Sequence, residues 1–183
     1  MSNEEAFTSS PQHKRLFFAL WLDEAVVQKI NRDVIGFFSN CPGRILESHN
    51  WHITLAYFGS ADASVQTCLE QQAGKIISPS FELQLEKCGY WPRSNVAWLA
   101  PTKIPDALKH LTEELQREIQ SCGFKPDACE FQPHITLVRK ARQPPSVTEI
   151  EAVNLKVSEF CLVESRTEAG GAQYTVLKRW HLI

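Results

Sequence analysis

The tetrapeptide His-Ile-Thr-Leu occurs twice, at residues 52–55 and 134–137. A chain of 183 residues has about a one-in-five chance of repeating some tetrapeptide at average composition, so the repeat gains meaning only from its context. Each copy opens an apolar, strand-like run, WHITLAYFG and FQPHITLVRKA. Each follows a strand–helix stretch, in a different half of the chain. Each also repeats His and Thr, poor choices for packing alone. Side chains alternate between the two faces of a strand. His52 and Thr54 therefore share one face, as do His134 and Thr136, while Ile53, Leu55, Ile135 and Leu137 take the other. Two such strands can bury their apolar residues in a core and aim both His-x-Thr pairs into one cleft.

The remaining segments are consistent with that picture. Residues 1–13 read as a flexible tail. RLFFALWL (Arg15 to Leu22) is a dense apolar run, read as a buried strand. Asp23 caps a helix expected to reach about Asn40, stopped by Cys41-Pro42-Gly43. His52 to Phe58 reads as a strand ended by Gly59. A second helix is expected over 62–77, and strands over Phe81–Trp91 and Val96–Ala100. A third helix covers about Ile104–Ser121, followed by a strand from about His134 to Arg139. Val153–Ser165 and Gln173–Leu182 read as two strands joined near Gly170-Gly171. The sum is an α+β chain with mostly antiparallel sheets and three helices, organised as one domain over 14–183.

Composition narrows the function. The formal net charge is −2, without the Lys and Arg excess that coats duplex nucleic acid. A local basic pocket for one phosphate stays compatible with that balance. The six cysteines contain no C-x-x-C pair. The N-terminus is polar, and no apolar run is long enough to cross a membrane. These features predict a cytoplasmic protein with reduced thiols. Two histidines without a nearby carboxylate or Cys cluster make a poor ligand set, so no metal is expected. No nucleotide-cradling G-x-x-x-x-G-K-[ST] occurs.

The His-x-Thr pairs suit phosphodiester chemistry. Opening a cyclic phosphodiester with water requires a base for the water proton and an acid for the departing ribose oxygen. Imidazole titrates at about 6.5, so near neutral pH one ring can be charged and the other neutral. Two histidines can fill both roles without metal. The Thr hydroxyls can donate to the non-bridging oxygens.

With RLFFAL at the start, the two H-x-T-x motifs and the closing YTVLKRWHL, the chain from Arg15 to Ile183 resembles the two-histidine phosphoesterase superfamily. Within it, the resemblance is to the bacterial and archaeal RNA 2',3'-cyclic phosphodiesterases, also called 2'-5' RNA ligases. The resemblance implies a bilobal, pseudo-symmetric fold with helices outside and a central cleft. It implies His52 as proton donor to the leaving 3' oxygen and His134 as proton acceptor from water, giving a 2'-phosphate end. Thr54 and Thr136 would bind the phosphate. The reverse step would join a 5'-hydroxyl through a 2'-5' linkage. No cofactor is implied. The partners implied are RNA 3' ends bearing a cyclic phosphate, tRNA fragments among them, and a monomer is expected.

The resemblance also brings in Arg139, five residues after His134. Strict alternation puts Lys140, not Arg139, on the face of His134 and Thr136, unless a bulge or the strand's end re-aims the arginine. Phe17 or Phe18 is a candidate to stack on the terminal base, with Trp98 and Trp51 as rivals. His49 could lie near the cleft, while His13, His110 and His181 read as structural or surface residues. Two other readings stay open. One is a phosphodiesterase for small cyclic nucleotides. The other is a non-catalytic RNA-end or nucleotide-binding module.

Overall fold

The computed structural model describes residues 14–125, 130–168 and 171–183, so the expected N-terminal tail lies outside the described residues. The elements run in the order β1 (Lys14–Trp21), α1 (Glu24–Asp33), β2 (Arg44–Ile45), β3 (His52–Ala61), α2 (Ala63–Ala73), β4 (Phe81–Trp91), β5 (Val96–Ala100), α3 (Asp106–Ile119), β6 (Ile135–Arg139), β7 (Glu149–Val157), β8 (Glu159–Glu168) and β9 (Gly171–His181). Every strand pairing is antiparallel, in the order β7-β4-β5-β6-β3-β1-β8-β9, with β2 alongside β6.

One junction divides this sheet into two lobes. Strands β3 and β6 meet at a single pair, Ile53 opposite Ile135, the second residues of the two His-Ile-Thr-Leu repeats. On one side lie β3, β1, β8 and β9; on the other lie β6, β2, β5, β4 and β7. The unit β1–α1–β3 is mirrored by β5–α3–β6. The helices exchange sides: α1 packs against β7 of the second lobe, and α3 against β3 of the first, beside α2.

The apolar face of each strand builds one shared core. Leu16, Phe18, Leu20, Ile53, Leu55, Ile135 and Leu137 turn toward it, with Ile30, Leu111 and Leu115 from the helices. The opposite, cleft-side face carries two small clusters. Phe17, Ala19, Cys161 and Val163 form one; Val96, Trp98 and Ala100 form the other.

Asp23 caps α1 as expected, its carboxylate accepting from the Val26 amide at 2.8 Å. The helix is shorter than its apolar pattern suggests. It ends at Asp33, and Ile35–Phe38 continue as a 3-10 turn that still buries Phe38. The run Val153–Ser165, expected as one strand, is two. Chain direction breaks at Ser158, so β7 joins β4 at one edge while β8 joins β1 in the other lobe. The expectation of reduced thiols also needs correcting. Cys68 on α2 is bonded to Cys122 just after α3, with their Cα atoms 5.8 Å apart, because helix packing unites residues 54 apart in sequence. Cys41, Cys88 and Cys161 are buried thiols. Among the described residues, no helix is long and apolar enough to cross a membrane.

Candidate active site

The Ile53–Ile135 pair sets the geometry of the site. Carrying that antiparallel register one step either way sets His52 across from Thr136 and Thr54 across from His134. With both isoleucines in the core, all four polar side chains turn to the opposite face. They line one open cleft of about 370 Å³ together with Leu46, Asn50 and Arg139.

Arg139 reaches the cleft through a bulge. Between β5 and β6 the register slips, Ala97 facing Val138 and Trp98 facing Thr136, so β6 carries one extra residue. Leu137 and Val138 are consequently both buried, and the parity of the strand flips before Arg139. Lys140 then leaves the strand with a left-handed backbone (φ 55°). Strict alternation, which favoured Lys140, fails here for that reason.

Both imidazoles are held the same way. His52 Nδ1 lies 2.7 Å from the Asn50 carbonyl oxygen, and His134 Nδ1 lies 2.9 Å from that of Gln132. A carbonyl only accepts, so Nδ1 carries the proton in each ring and Nε2 keeps the lone pair for chemistry. Aromatic walls fix the ring planes. His52 stacks on Trp21 (centroids 5.6 Å, interplanar 2°), its cross-strand neighbour, and touches Phe17 at 4.8 Å and the edge of Tyr174 at 5.1 Å. His134 meets Trp91 edge-on at 4.5 Å, and Trp91 leans on Trp98.

The electrostatics follow from this enclosure. Burial pushes the His52 pKa down from 6.5 to about 4; the Asn50 carbonyl bond opposes the shift, and the positive charges of Arg139 and His134 add to it. Burial also lowers His134, against its Gln132 bond and with help from Arg139. Arg139 forms no ion pair among the described residues. The Thr54 and Thr136 hydroxyls likewise have no protein partner there. No carboxylate of the described residues lines the cleft. It is a neutral-to-positive hollow lined by two hydroxyls and a guanidinium, the form expected of a site for one anion. Among the described residues no group of three His, Cys, Asp or Glu could hold a metal ion.

The sequence model of the 2'-5' RNA ligase superfamily matches residues 23–169, a span that contains both His-x-Thr pairs and Arg139. The chain belongs to that superfamily. Within it, the chain is 36% identical over 179 residues to a protein named RNA 2',3'-cyclic phosphodiesterase from Escherichia coli (strain K12), covering 95% of this chain and 98% of the relative. A protein of the same name from Aeropyrum pernix is 28% identical over 148 residues, covering 74% and 84%. The crystal structure of E. coli LigT complexed with 3'-AMP superposes with a TM-score of 0.83 at 34% identity, covering 93% of this chain and 99% of that one. The crystal structure of TT0787 of Thermus thermophilus, at 22% identity and a TM-score of 0.77, covers 91% of this chain and 97% of that one and shares the fold.

The candidate residues divide by where the fold puts them. His52, Thr54, His134, Thr136 and Arg139 meet in one cleft. Phe17 is on the cleft side, but only 4% of it is exposed and its ring is occupied by His52 and Tyr174. Phe18 cannot stack on a base: it is fully buried in the main core, against Phe160 and Trp180. Trp51 is likewise buried in that core, and His49 lines a separate hollow with Trp21. Sequence reasoning missed Asn50, Trp21, Tyr174 and Trp91. The one signal it could have used was an amide residue two positions before each histidine, and there the backbone carbonyl makes the contact.

Proposed function

We propose that this chain hydrolyses RNA 2',3'-cyclic phosphate ends to 2'-phosphate ends, using His52 and His134 as the acid–base pair. The observation that carries the reading is the matched pair of imidazoles. Each is tied through Nδ1, and each presents Nε2 to a cleft lined by two open hydroxyls and an arginine. The names of the relatives support the same chemistry.

In the proposed reaction the cyclic phosphate sits between the two rings. Thr54 and Thr136 donate to its non-bridging oxygens, and Arg139 balances its charge. His134 Nε2 takes a proton from water as the water oxygen bonds to phosphorus. The phosphorus–O3' bond breaks, and His52 gives its Nε2 proton to O3', leaving a 2'-phosphate and a 3'-hydroxyl. Replacing water with a 5'-hydroxyl gives the 2'-5' linkage by the same steps. The pKa directions suit these roles. His52, the ring harder to protonate, is the stronger acid once charged, and its proton is stabilised when the anionic phosphate arrives. His134 stays the better base. The proposed acting form is a monomer. The proposed setting is the cytoplasm, with tRNA fragments among the substrates.

The test is turnover of a short RNA ending in a 2',3'-cyclic phosphate, in chelator and without ATP. His52→Ala and His134→Ala are each expected to lose roughly a thousandfold or more, with the double variant little worse than either, because the two rings act together. Near-wild-type turnover in both single variants would remove the mechanism.

A further inference from the structure

A second hollow, of about 510 Å³, opens beside the catalytic cleft and shares Leu46, Asn50 and Arg139 with it. Its outer wall is Arg44 on β2; its far wall is the start of β9, including Gln173 and Tyr174. Arg44 and Arg139 are direct cross-strand partners in the antiparallel β2–β6 pair, so their side chains leave the sheet side by side on one face. Two neighbouring guanidiniums offer a ready pair of donors to a phosphate. Among the described residues, one carboxylate, Glu47, lines the hollow with these two guanidiniums.

The second arginine is built in from the far lobe. A Cβ on Gly171 would come within 2.5 Å of Arg44 Nη1, and the glycine's own backbone (φ 133°) disfavours any side chain. Asn50, 94% buried, forms the floor common to both hollows. Its Nδ2 donates to the Ala172 carbonyl at 3.2 Å, while its Oδ1 has no partner among the described residues. Arg44 thus carries the positive lining begun by Arg139 out of the catalytic cleft into this hollow.

We propose that this hollow is a second phosphate subsite, in which Arg44 and Arg139 bind the internucleotide phosphodiester preceding the cyclic end. The substrate class is then an oligonucleotide of at least two residues rather than a cyclic mononucleotide. This inference rests on the cyclic-phosphate reading above.

The experiment compares kcat/KM for three compounds. They are a 2',3'-cyclic mononucleotide, a dinucleotide with the same cyclic end, and that dinucleotide with an uncharged methylphosphonate linkage. The charged dinucleotide is expected to exceed both others by roughly ten- to a hundredfold, the range of a charge-assisted contact. Arg44→Gln should bring the dinucleotide-to-mononucleotide ratio close to one, and Arg44→Lys should retain part of it. A merely structural role for Arg44 would lower all three compounds together. Equal rates for charged and uncharged dinucleotides, or an unchanged ratio in Arg44→Gln, would overturn the subsite. If no compound is turned over, the proposed reaction falls instead. The subsite is then judged by calorimetric binding of the dinucleotide 2'-phosphate with each linkage, where equal affinities would overturn it.

Discussion

His52 should make the folded chain acid-sensitive in a defined window. Its ring is enclosed by Trp21, Phe17 and Tyr174, and burial holds its pKa at about 4 against 6.5. The folded-state value is depressed, so the unfolded chain binds the proton first as pH falls. The contribution is complete above pH 6.5 and is lost as pH descends toward 4. A tenfold change in proton affinity is worth about 1.4 kcal/mol, so the loss attributable to this ring is about 3 kcal/mol at pH 4. The assay is urea unfolding of the wild type and of His52→Gln at intervals from pH 7.5 to 4. Gln cannot titrate, and the acidic groups elsewhere are common to both proteins. The difference in unfolding free energy should be flat above pH 6.5 and should then move by about 3 kcal/mol against the wild type. A difference that stays constant across the range would show that the ring is not held neutral by its surroundings, and would refute the role given to its enclosure.

Three further outcomes follow from the same geometry. Thr54→Val and Thr136→Val keep shape but remove the cleft hydroxyls, and each should lower kcat roughly a hundredfold in a single-turnover assay with little change in melting temperature. Because both ring pKa values lie below 6.5, kcat/KM should fall as pH rises above that point; Arg139→Gln removes a positive charge from both rings, so it should shift this falling limb to higher pH while lowering the rate about a hundredfold. Gly89→Ala would put a Cβ 2.2 Å from the Trp98 indole, which packs on the Trp91 that borders His134, and should cost about 1–3 kcal/mol in urea unfolding.

The parts of this structure legible in the sequence are those governed by local periodicity. Alternation in the two His-Ile-Thr-Leu repeats separates core from cleft correctly, because each strand has one wet and one dry face there. The Asp23 cap is legible for the same reason: it depends on residues three apart. Alternation says nothing about Phe17 against Phe18, since every residue from Leu16 to Leu20 is buried, on one face or the other. The Arg139 side chain is aimed by an extra residue at Leu137–Val138, and only the partner strand β5 makes that count visible. The break at Ser158 does leave a mark: Val153, Leu155 and Val157 alternate with polar residues, then Ser158 and Glu159 are polar in succession and the apolar run restarts at Phe160, where the partner strand changes from β4 to β1. Strand β2, two residues long, carries no pattern, yet it supplies Arg44. The Cys68–Cys122 bond and the aromatic walls of the histidines likewise arise only from long-range packing.

The most direct test of the central claim is the identity of the product end. A short RNA with a 2',3'-cyclic phosphate, incubated with the protein in chelator, is followed by phosphorus NMR. The expected result is conversion of the cyclic diester to a 2'-phosphomonoester, absent with His52→Ala and with His134→Ala. A 3'-phosphate product, or the same 2'-phosphate product from either variant at the wild-type rate, would contradict it.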